Sequence, residues 1–214
     1  MRRVRATPRG EAEFRGEWKP VDGLARDEMI QVHHAPAETG RRLCGRTDMP
    51  DRPDGRAQPA ALAARPAGVA RVAVSPARRC RETAAALFPG RRPDPDPRLS
   101  GRDFGAHEGR MLADLPDLGP LARAELAQIA PPGGESFAAT WARMRPALTG
   151  LAAQARRAGP VAVIAHAGTV RAALAFALGD VPAAYAFELA PLSLTRLRSL
   201  RRGLVLVIAA NAAA

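Results

Sequence analysis

Short apolar runs alternate with helical patterns along this chain. Runs rich in β-branched residues at 29–32, 71–75 and 161–165 predict buried strands. The third run is wholly apolar, which is typical of a strand in the interior of a parallel sheet. Apolar side chains at three- and four-residue steps predict a long amphipathic helix over 135–158. Strands that alternate with helices predict an α/β fold, in the form of a three-layer α/β/α sandwich.

Two further helices are predicted from local signals. Ser75 suits a helix N-cap and Pro76 suits the first helical position, so a helix is predicted over 76–88. The stretch after Pro120 has helical composition, as does the segment at 54–65.

The ends of the chain differ in character. Residues 1–27 are charged and show neither helical nor strand periodicity, so we predict an irregular N-terminal extension. Two apolar stretches, at 192–200 and 203–210, predict a closing pair of strands. The length suits one core, so a single domain is predicted at 28–214.

The chain carries a formal net charge of +11, which raises the question of nucleic-acid binding. Its basic residues occur in runs no longer than doublets, and Lys19 is the only lysine. Aromatic residues make up 4% of the chain, too few for base-stacking surfaces. We therefore expect no specific nucleic-acid partner.

The two cysteines, Cys44 and Cys80, cannot form a disulfide framework, and no spacing of Cys and His suggests a metal site. We expect no metal and no cofactor. The N-terminus lacks the apolar segment of a signal peptide, and no apolar run is long enough to span a membrane. These features predict a cytoplasmic protein without a membrane partner, and they leave the oligomeric state open.

Two of the chain's four histidines, His33 and His34, stand side by side where the first predicted strand stops. The sequence Ala35-Pro36 prevents the strand from continuing, so both imidazoles are expected at its carboxyl end. His166 follows the strand at 161–165 in the same way. In open α/β sheets this edge is where ligands bind, and a helix N-terminus beside it favours an anion.

Six segments together resemble the motifs of the histidine phosphatase superfamily, in order and with compatible spacing. They extend from about residue 29 to the C-terminus, and the small α-ribazole-phosphatase-like and phosphoglycerate-mutase-like phosphatases are the most similar branches. The resemblance implies a mostly parallel sheet, a small phosphomonoester substrate and hydrolysis through a phosphohistidine. The segments are His33-His34-Ala35, Gly45 to Asp48, Ser75-Pro76 with Arg79 and Thr83, Asp103 to Gly105 with Glu108-Gly109, Pro132 to Ser136, and His166 to Gly168.

The resemblance also implies roles for individual residues. His34 aligns with the nucleophile and His166 with the second active-site histidine, which holds phosphate oxygens. Arg79 aligns with an arginine that clamps the phosphate, and Gly168 lets the backbone approach it. The residues alone leave alternatives open: His34 as a surface histidine at a strand end, and His166 as a helix cap. Ser75 is expected only to cap a helix.

Two positions depart from the family pattern. His33 stands where the family has an arginine, so we expect it to bind phosphate as a cation only when protonated. Gly101 stands where the family has the glutamate that protonates the leaving group, a loss that typically costs ~10²–10⁴-fold. If Gly101 marks a vacated acid position, Gly101→Glu is expected to raise the turnover of alkyl phosphates.

Three nearby groups are candidates for the missing acid, namely Asp103, Glu108 and His107. The sequence therefore predicts a phosphatase that works slowly, through a phosphohistidine, on a small phosphorylated metabolite. The alternative is a catalytically impaired phosphate-binding protein with the same fold. A mutase is less expected, because the additional residues that mutases use to contact phosphoglycerate cannot be placed in this sequence.

Overall fold

The computed structural model describes residues 24–50 and 68–212. In this part of the chain six strands form one sheet and four α-helices flank it. The strands are β1 (Glu28–His33), β2 (Arg71–Val74), β3 (Asp94–Pro95), β4 (Val161–Ala165), β5 (Leu194–Ser199) and β6 (Val205–Ala212). The helices are α1 (Arg78–Leu87), α2 (Arg123–Gln128), α3 (Phe137–Ala158) and α4 (Ala167–Leu178).

The sheet has the strand order β3-β2-β4-β1-β5-β6. The four strands β3, β2, β4 and β1 are parallel, whereas β5 runs antiparallel to both of its neighbours. β4 lies between β1 and β2 and is buried along its whole length, which explains why its sequence is a continuous apolar run. The predicted α/β fold with a mostly parallel sheet is confirmed.

Alternating side chains of each central strand enter two separate cores. Val161 and Val163 of β4 pack with α3 and α4 on one face, whereas Ala162 and Ile164 pack with α1 on the other. This division is the physical basis of the three layers, because each face of the sheet must bury its own apolar side chains. The sheet thus holds the ends of β1, β2 and β4 at one fixed edge.

The predicted closing strands, the helix after Pro120 and the long helix before β4 are all confirmed. The start of α1 was predicted wrongly: the helix begins at Arg78 with Ala77 at the cap position, and Asp48 Oδ1 accepts from the Arg78 amide at 2.6 Å. The helix proposed for residues 54–65 lies outside the described residues, as does most of the predicted extension at 1–27. None of the described helices is long and apolar enough to cross a membrane.

Candidate active site

Three neighbouring parallel strands end together, and each is followed by a polar residue. His34 follows β1, Ser75 follows β2 and His166 follows β4. The hydrogen-bonding pattern of the sheet continues one residue further, because the amide of His34 donates to Ala165 O at 2.9 Å and that of Ser75 donates to Ile164 O at 3.0 Å. Residues far apart in sequence therefore meet at the carboxyl edge of the sheet.

The three histidines of these segments form a continuous row of rings. The ring centroids of His33 and His34 are 4.8 Å apart, and those of His34 and His166 are 5.3 Å apart, both with edge-to-face geometry. His166 is 7% exposed. The structure thus brings together the two histidines for which the resemblance implies catalytic roles, with His33 beside them.

The hydrogen bonds of His34 define its tautomer. Its Nδ1 lies 2.6 Å from the carbonyl oxygen of Ala35, which can only accept, so Nδ1 carries the proton. The other ring nitrogen, Nε2, therefore holds a lone pair, toward which Arg79 Nε–H donates at 3.3 Å. An unprotonated ring nitrogen is the state that a nucleophile requires.

His166 is oriented by two side chains. Its Nδ1 accepts a hydrogen bond from Arg79 Nη2 at 3.2 Å, because an arginine can only donate. The neutral ring consequently carries its proton on Nε2, which lies 2.9 Å from Ser75 Oγ. Ser75 therefore orients a histidine of the site, where the sequence predicted only a helix cap.

Burial keeps all three imidazoles neutral. Desolvation lowers the pKa of His33 to about 4, although its hydrogen bond to Ala190 O opposes the shift. Desolvation and the neighbouring His33 lower the pKa of His34 to about 3. The pKa of His166 lies well below 6.5 for the same reason, with a further contribution from Arg79. His33 is thus uncharged at neutral pH in this structure, and its role in binding phosphate stays a prediction.

Arg79 occupies the centre of the cluster and is 2% exposed. Besides its two imidazole contacts, it donates from Nη1 to Thr47 O at 2.9 Å and from Nη2 to Gly45 O at 2.8 Å. Four of its five N–H groups are therefore engaged. It is not among the residues that line the cavity described below, and its role as a phosphate clamp stays a prediction.

Thr83 connects the helix of Arg79 to the segment of His34. Its hydroxyl donates to Arg79 O at 2.8 Å and accepts from the amide of Ala35 at 2.9 Å. The side chain is fully buried. This pair of hydrogen bonds fixes the position of α1 relative to the residue that follows the proposed nucleophile.

Glu108 organises the loop that Arg79 contacts. Its carboxylate accepts hydrogen bonds from the backbone amides of Gly45, Arg46, Thr47 and Phe104 and from Thr47 Oγ1. Burial alone would raise the pKa of Glu108, but these hydrogen bonds outweigh it and hold the pKa below its usual value. A carboxylate held ionised in this way is poorly suited to donate a proton.

The other two acid candidates lie in the loop that follows Gly101. Asp103 Oδ1 accepts from the amide of Gly105 at 2.8 Å, and His107 lies in the short 3₁₀ turn Gly105–His107. Neither residue lines the cavity described below, and Glu108 does not line it either. Within the described residues, the geometry therefore does not support any of the three candidates as the replacement acid.

Main-chain atoms of Gly45 occupy the space where the Cβ of a glutamate at position 101 would lie. A Cβ atom on residue 101 would lie 2.4 Å from Gly45 O. A Cβ on residue 45 would in turn lie 1.9 Å from Arg102 O. Both glycines are needed for this contact, so a side chain at residue 101 would have to displace main chain, which opposes the higher turnover expected for Gly101→Glu.

A cavity of about 250 Å³ opens against the histidine row. His33, His34, His166 and Gly168 are among the residues that line it. The first turn of α4 lies at the same place, since His166 occupies its N-cap position, and its free amides favour an anion. The three histidines and Gly168 thus face a common space in which a phosphate could be held beside a helix N-terminus.

Three further residues of the cavity lining were not predicted from the sequence. They are Arg102, Arg171 and Tyr185. Arg171 could have been predicted, because it lies three residues after Gly168 on a predicted helix and therefore on the same face. Arg102 lies in an irregular segment and Tyr185 in the short 3₁₀ helix Pro182–Ala186, and the sequence pattern does not predict the side-chain directions of either. Among the described residues, no group of three or more His, Cys, Asp or Glu side chains could hold a metal ion.

Known proteins of similar structure include several hydrolases. A mycobacterial glucosyl-3-phosphoglycerate phosphatase, in complex with VO3, matches with a TM-score of 0.76 and 27% identity over 87% of this chain and 99% of its own. A protein named mycobacterial hydrolase 1 matches with a TM-score of 0.77, 27% identity and the same coverage. A putative α-ribazole-5′-P phosphatase from Escherichia coli has the same fold, with a TM-score of 0.74 and 18% identity over 86% and 96% of the two chains.

Sequence comparison gives a consistent result at the level of the family. No curated protein sequence matches the chain at a significant level. The family model described as histidine phosphatase superfamily, branch 1, matches residues 32–211. This match spans β1 to β6 and includes every residue of the cluster described above. The chain therefore belongs to the histidine phosphatase superfamily and is a phosphatase.

Proposed function

We propose that this protein hydrolyses a small phosphomonoester through a phosphohistidine formed at Nε2 of His34. The observation that carries the proposal is the hydrogen bond from His34 Nδ1 to Ala35 O, which leaves the Nε2 lone pair unprotonated. With a pKa of about 3, the ring remains neutral across the physiological range. The vanadate-bound phosphatase among the structural relatives supports a phosphorylated small molecule as substrate.

In the first step, Nε2 of His34 forms a bond to phosphorus while the ester P–O bond breaks. The charge on the phosphoryl oxygens is stabilised by the N-terminus of α4 and by Arg79, whose Nε lies 3.3 Å from the attacking nitrogen. His166 is held beside them by Ser75. In the second step, water attacks phosphorus, the P–N bond breaks and inorganic phosphate leaves.

The leaving alkoxide must take its proton from a source other than a cavity carboxylate. The described lining residues include no aspartate or glutamate. Substrates whose leaving groups are stable as anions, such as aryl phosphates, should therefore react faster than alkyl phosphates. The same observation favours a second candidate function, a catalytically impaired protein that binds phosphorylated molecules without turning them over.

The test is to incubate the full chain with an aryl phosphate labelled at phosphorus, quench it rapidly, and measure acid-labile, base-stable phosphate on the protein. We expect label on the unmodified protein and none on His34→Ala. His107→Ala is the matched control, because it removes an imidazole that does not line the cavity. Label on His34→Ala would contradict the assignment, whereas phosphate binding without any label would favour the second function.

The chain has only two cysteines, Cys44 and Cys80, too few for a disulfide framework, which supports a reducing compartment such as the cytoplasm for this activity. The expectation that the protein has no specific nucleic-acid partner stays a prediction.

A further inference from the structure

We propose that Arg102, Arg171 and Tyr185 bind a second anionic group of the substrate, so that the preferred substrates are phosphomonoesters that also carry a carboxylate or a second phosphate. We call these three residues the anion wall. The inference rests on the proposed function, because it assumes that the first phosphate is held at His34 in the same cavity.

Arg171 is the least satisfied cation of the site. It lines the cavity from α4, and its Nε is buried with no hydrogen-bond partner among the described residues. Its guanidinium carbon lies 5.7 Å from the ring centroid of Tyr185, so the tyrosine supports the side chain from one side. Burial lowers the pKa of Arg171, but an arginine remains protonated at any physiological pH.

Arg102 is held rigidly by the main chain. Its Nε donates to Glu135 O at 2.7 Å and its Nη2 donates to Ile129 O at 2.6 Å. Its guanidinium carbon also lies 5.4 Å from the ring centroid of Phe104. Neutral carbonyls orient the guanidinium without cancelling its charge, so Arg102 presents a preorganised cation to the cavity.

Tyr185 connects the two arginines and contributes a hydroxyl. Its ring packs edge-to-face against Phe137, with 5.1 Å between centroids. Burial raises the pKa of Tyr185, although Arg102 and Arg171 both oppose the shift, so the hydroxyl keeps its proton. Two guanidinium groups and one hydroxyl can together supply the donors that a carboxylate or phosphate accepts.

An anionic ligand would supply the direct counter-charge that Arg102 and Arg171 lack among the described residues. Arg143 pairs with Glu135 at 2.7 Å and Arg196 pairs with Glu28 at 2.7 Å. In the described part of the chain, by contrast, neither Arg102 nor Arg171 is within 4 Å of a carboxylate oxygen. A partly buried cation without a counter-ion is costly, and binding an anion would offset that cost.

The size of the cavity limits how the two charges can be arranged. At about 250 Å³ it is smaller than sites for drug-sized ligands, so it suits a molecule of a few carbon atoms. One small molecule of this size could place a phosphate at the histidine row and a second anionic group at the anion wall. Recognition of both ends also orients the ester bond for attack by His34.

The test uses ω-phosphonooxy carboxylates of two, three and four carbons, each paired with its neutral carboxamide. A second arm compares alkanediol bisphosphates with the corresponding monophosphates, which distinguishes a carboxylate from a phosphate as the second group. We measure kcat/KM for the full chain and, independently of turnover, Kd by calorimetry with the full-length His34→Ala protein. We expect the best acidic probe to have a kcat/KM roughly tenfold or more above that of its neutral partner, and a Kd roughly tenfold or more below it.

Arg171→Gln removes one cation of the anion wall and should reduce that preference to near unity. Tyr185→Phe removes the hydroxyl alone and should reduce it partly. Arg145→Gln is the matched control, because Arg145 also stacks on an aromatic ring, with its guanidinium carbon 5.4 Å from the Trp141 centroid, but lies on the exposed side of α3. The control should keep the preference of the unmodified protein.

Equal Kd values for acidic and neutral probes, or a preference that Arg171→Gln leaves intact, would overturn the inference. Failure of the proposed function gives a different result: no probe is hydrolysed and no phosphohistidine forms, while the binding comparison still reports on the anion wall. Thermal melts of each variant check that the loss of preference does not come from unfolding.

Discussion

The main chains of Gly45 and Gly101 are in direct contact, with the Cβ position of residue 101 only 2.4 Å from Gly45 O. The same Gly45 carbonyl accepts a hydrogen bond from Arg79 at 2.8 Å. The segment around Gly101 therefore supports the loop that holds Arg79, and Arg79 in turn contacts both His34 and His166. Gly101, which in the sequence indicates only the loss of a catalytic glutamate, therefore has a packing role in the site.

Gly101→Ala should therefore be almost as harmful as Gly101→Glu. Both variants force a Cβ against main chain, which can move only by shifting the Arg79 loop, and we expect each to lower the free energy of unfolding by ~1–3 kcal/mol and to reduce activity. Urea titration and an aryl phosphate assay measure the two effects. Gly150→Ala is the control, because a Cβ there meets nothing within 4 Å and should stabilise α3 by ~0.5–1 kcal/mol. Raised alkyl phosphate turnover in Gly101→Glu would contradict this view.

The sequence predicted the sheet and the histidine row for a simple reason. Each of His34 and His166 directly follows an apolar strand, and parallel neighbouring strands end at one edge. The contact between Gly45 and Gly101 could not be predicted in this way, because it joins two irregular segments. Neither strand nor helix periodicity reports how closely two loops approach.

The pKa values of the histidines could not be predicted from the sequence either. An imidazole at a strand end can be solvated or buried, and only the surrounding packing decides between these states. The hydroxyl of Ser75 illustrates the same limit: its place after β2 fits a helix cap, yet the helix begins three residues later, at Arg78. The hydroxyl instead lies beside His166.

Glu108→Gln should loosen the loop that carries the carbonyls bound by Arg79. An amide offers one acceptor oxygen and places an N–H₂ group against the backbone amides that the carboxylate now accepts from. We expect a loss of ~1–3 kcal/mol in unfolding free energy, together with lower kcat/KM. Glu188→Gln, at an exposed position, is the control and should change neither quantity. Full activity in Glu108→Gln would show that the loop is held by other contacts.

The stability of the protein should fall as the pH is lowered from about 6.5 toward 4. In the unfolded chain His33, His34 and His166 titrate near ~6.5, whereas burial lowers their pKa values in the folded protein. Below pH 6.5 the unfolded state binds protons that the folded state does not, so each histidine costs up to ~1.4 kcal/mol per pH unit. Above pH 7 these groups are neutral in both states and contribute no pH dependence.

Urea unfolding at half-unit steps between pH 4.5 and 8 measures this slope. His34→Ala removes one of the three titrating groups and should lower the slope by about a third, which separates the histidine contribution from that of the carboxylates. A stability that is constant between pH 5 and 7 would show that the histidines are solvated and protonate normally.

His33 offers the sharpest test of how the site binds phosphate. Its Nδ1 donates to Ala190 O at 3.0 Å, and burial lowers its pKa to about 4. A bound phosphate would have to favour the imidazolium by roughly 5 kcal/mol to half-protonate it at pH 7.5. His33→Gln should therefore bind phosphate as tightly as the unmodified protein at that pH, because one neutral group replaces another.

His33→Arg should instead introduce a permanent cation into the cavity beside Arg171 and Arg79. We expect phosphate binding at pH 7.5 to tighten roughly tenfold, since hydrogen bonds from a charged donor are stronger than neutral ones. The ligand-free variant should melt at a lower temperature, because the added charge is buried near two others of the same sign. Calorimetric titration with inorganic phosphate and thermal melts measure both effects. Should His33→Gln lose tenfold in phosphate affinity at pH 7.5, the imidazole must be charged in the complex, and His33 would then perform the task of the missing arginine.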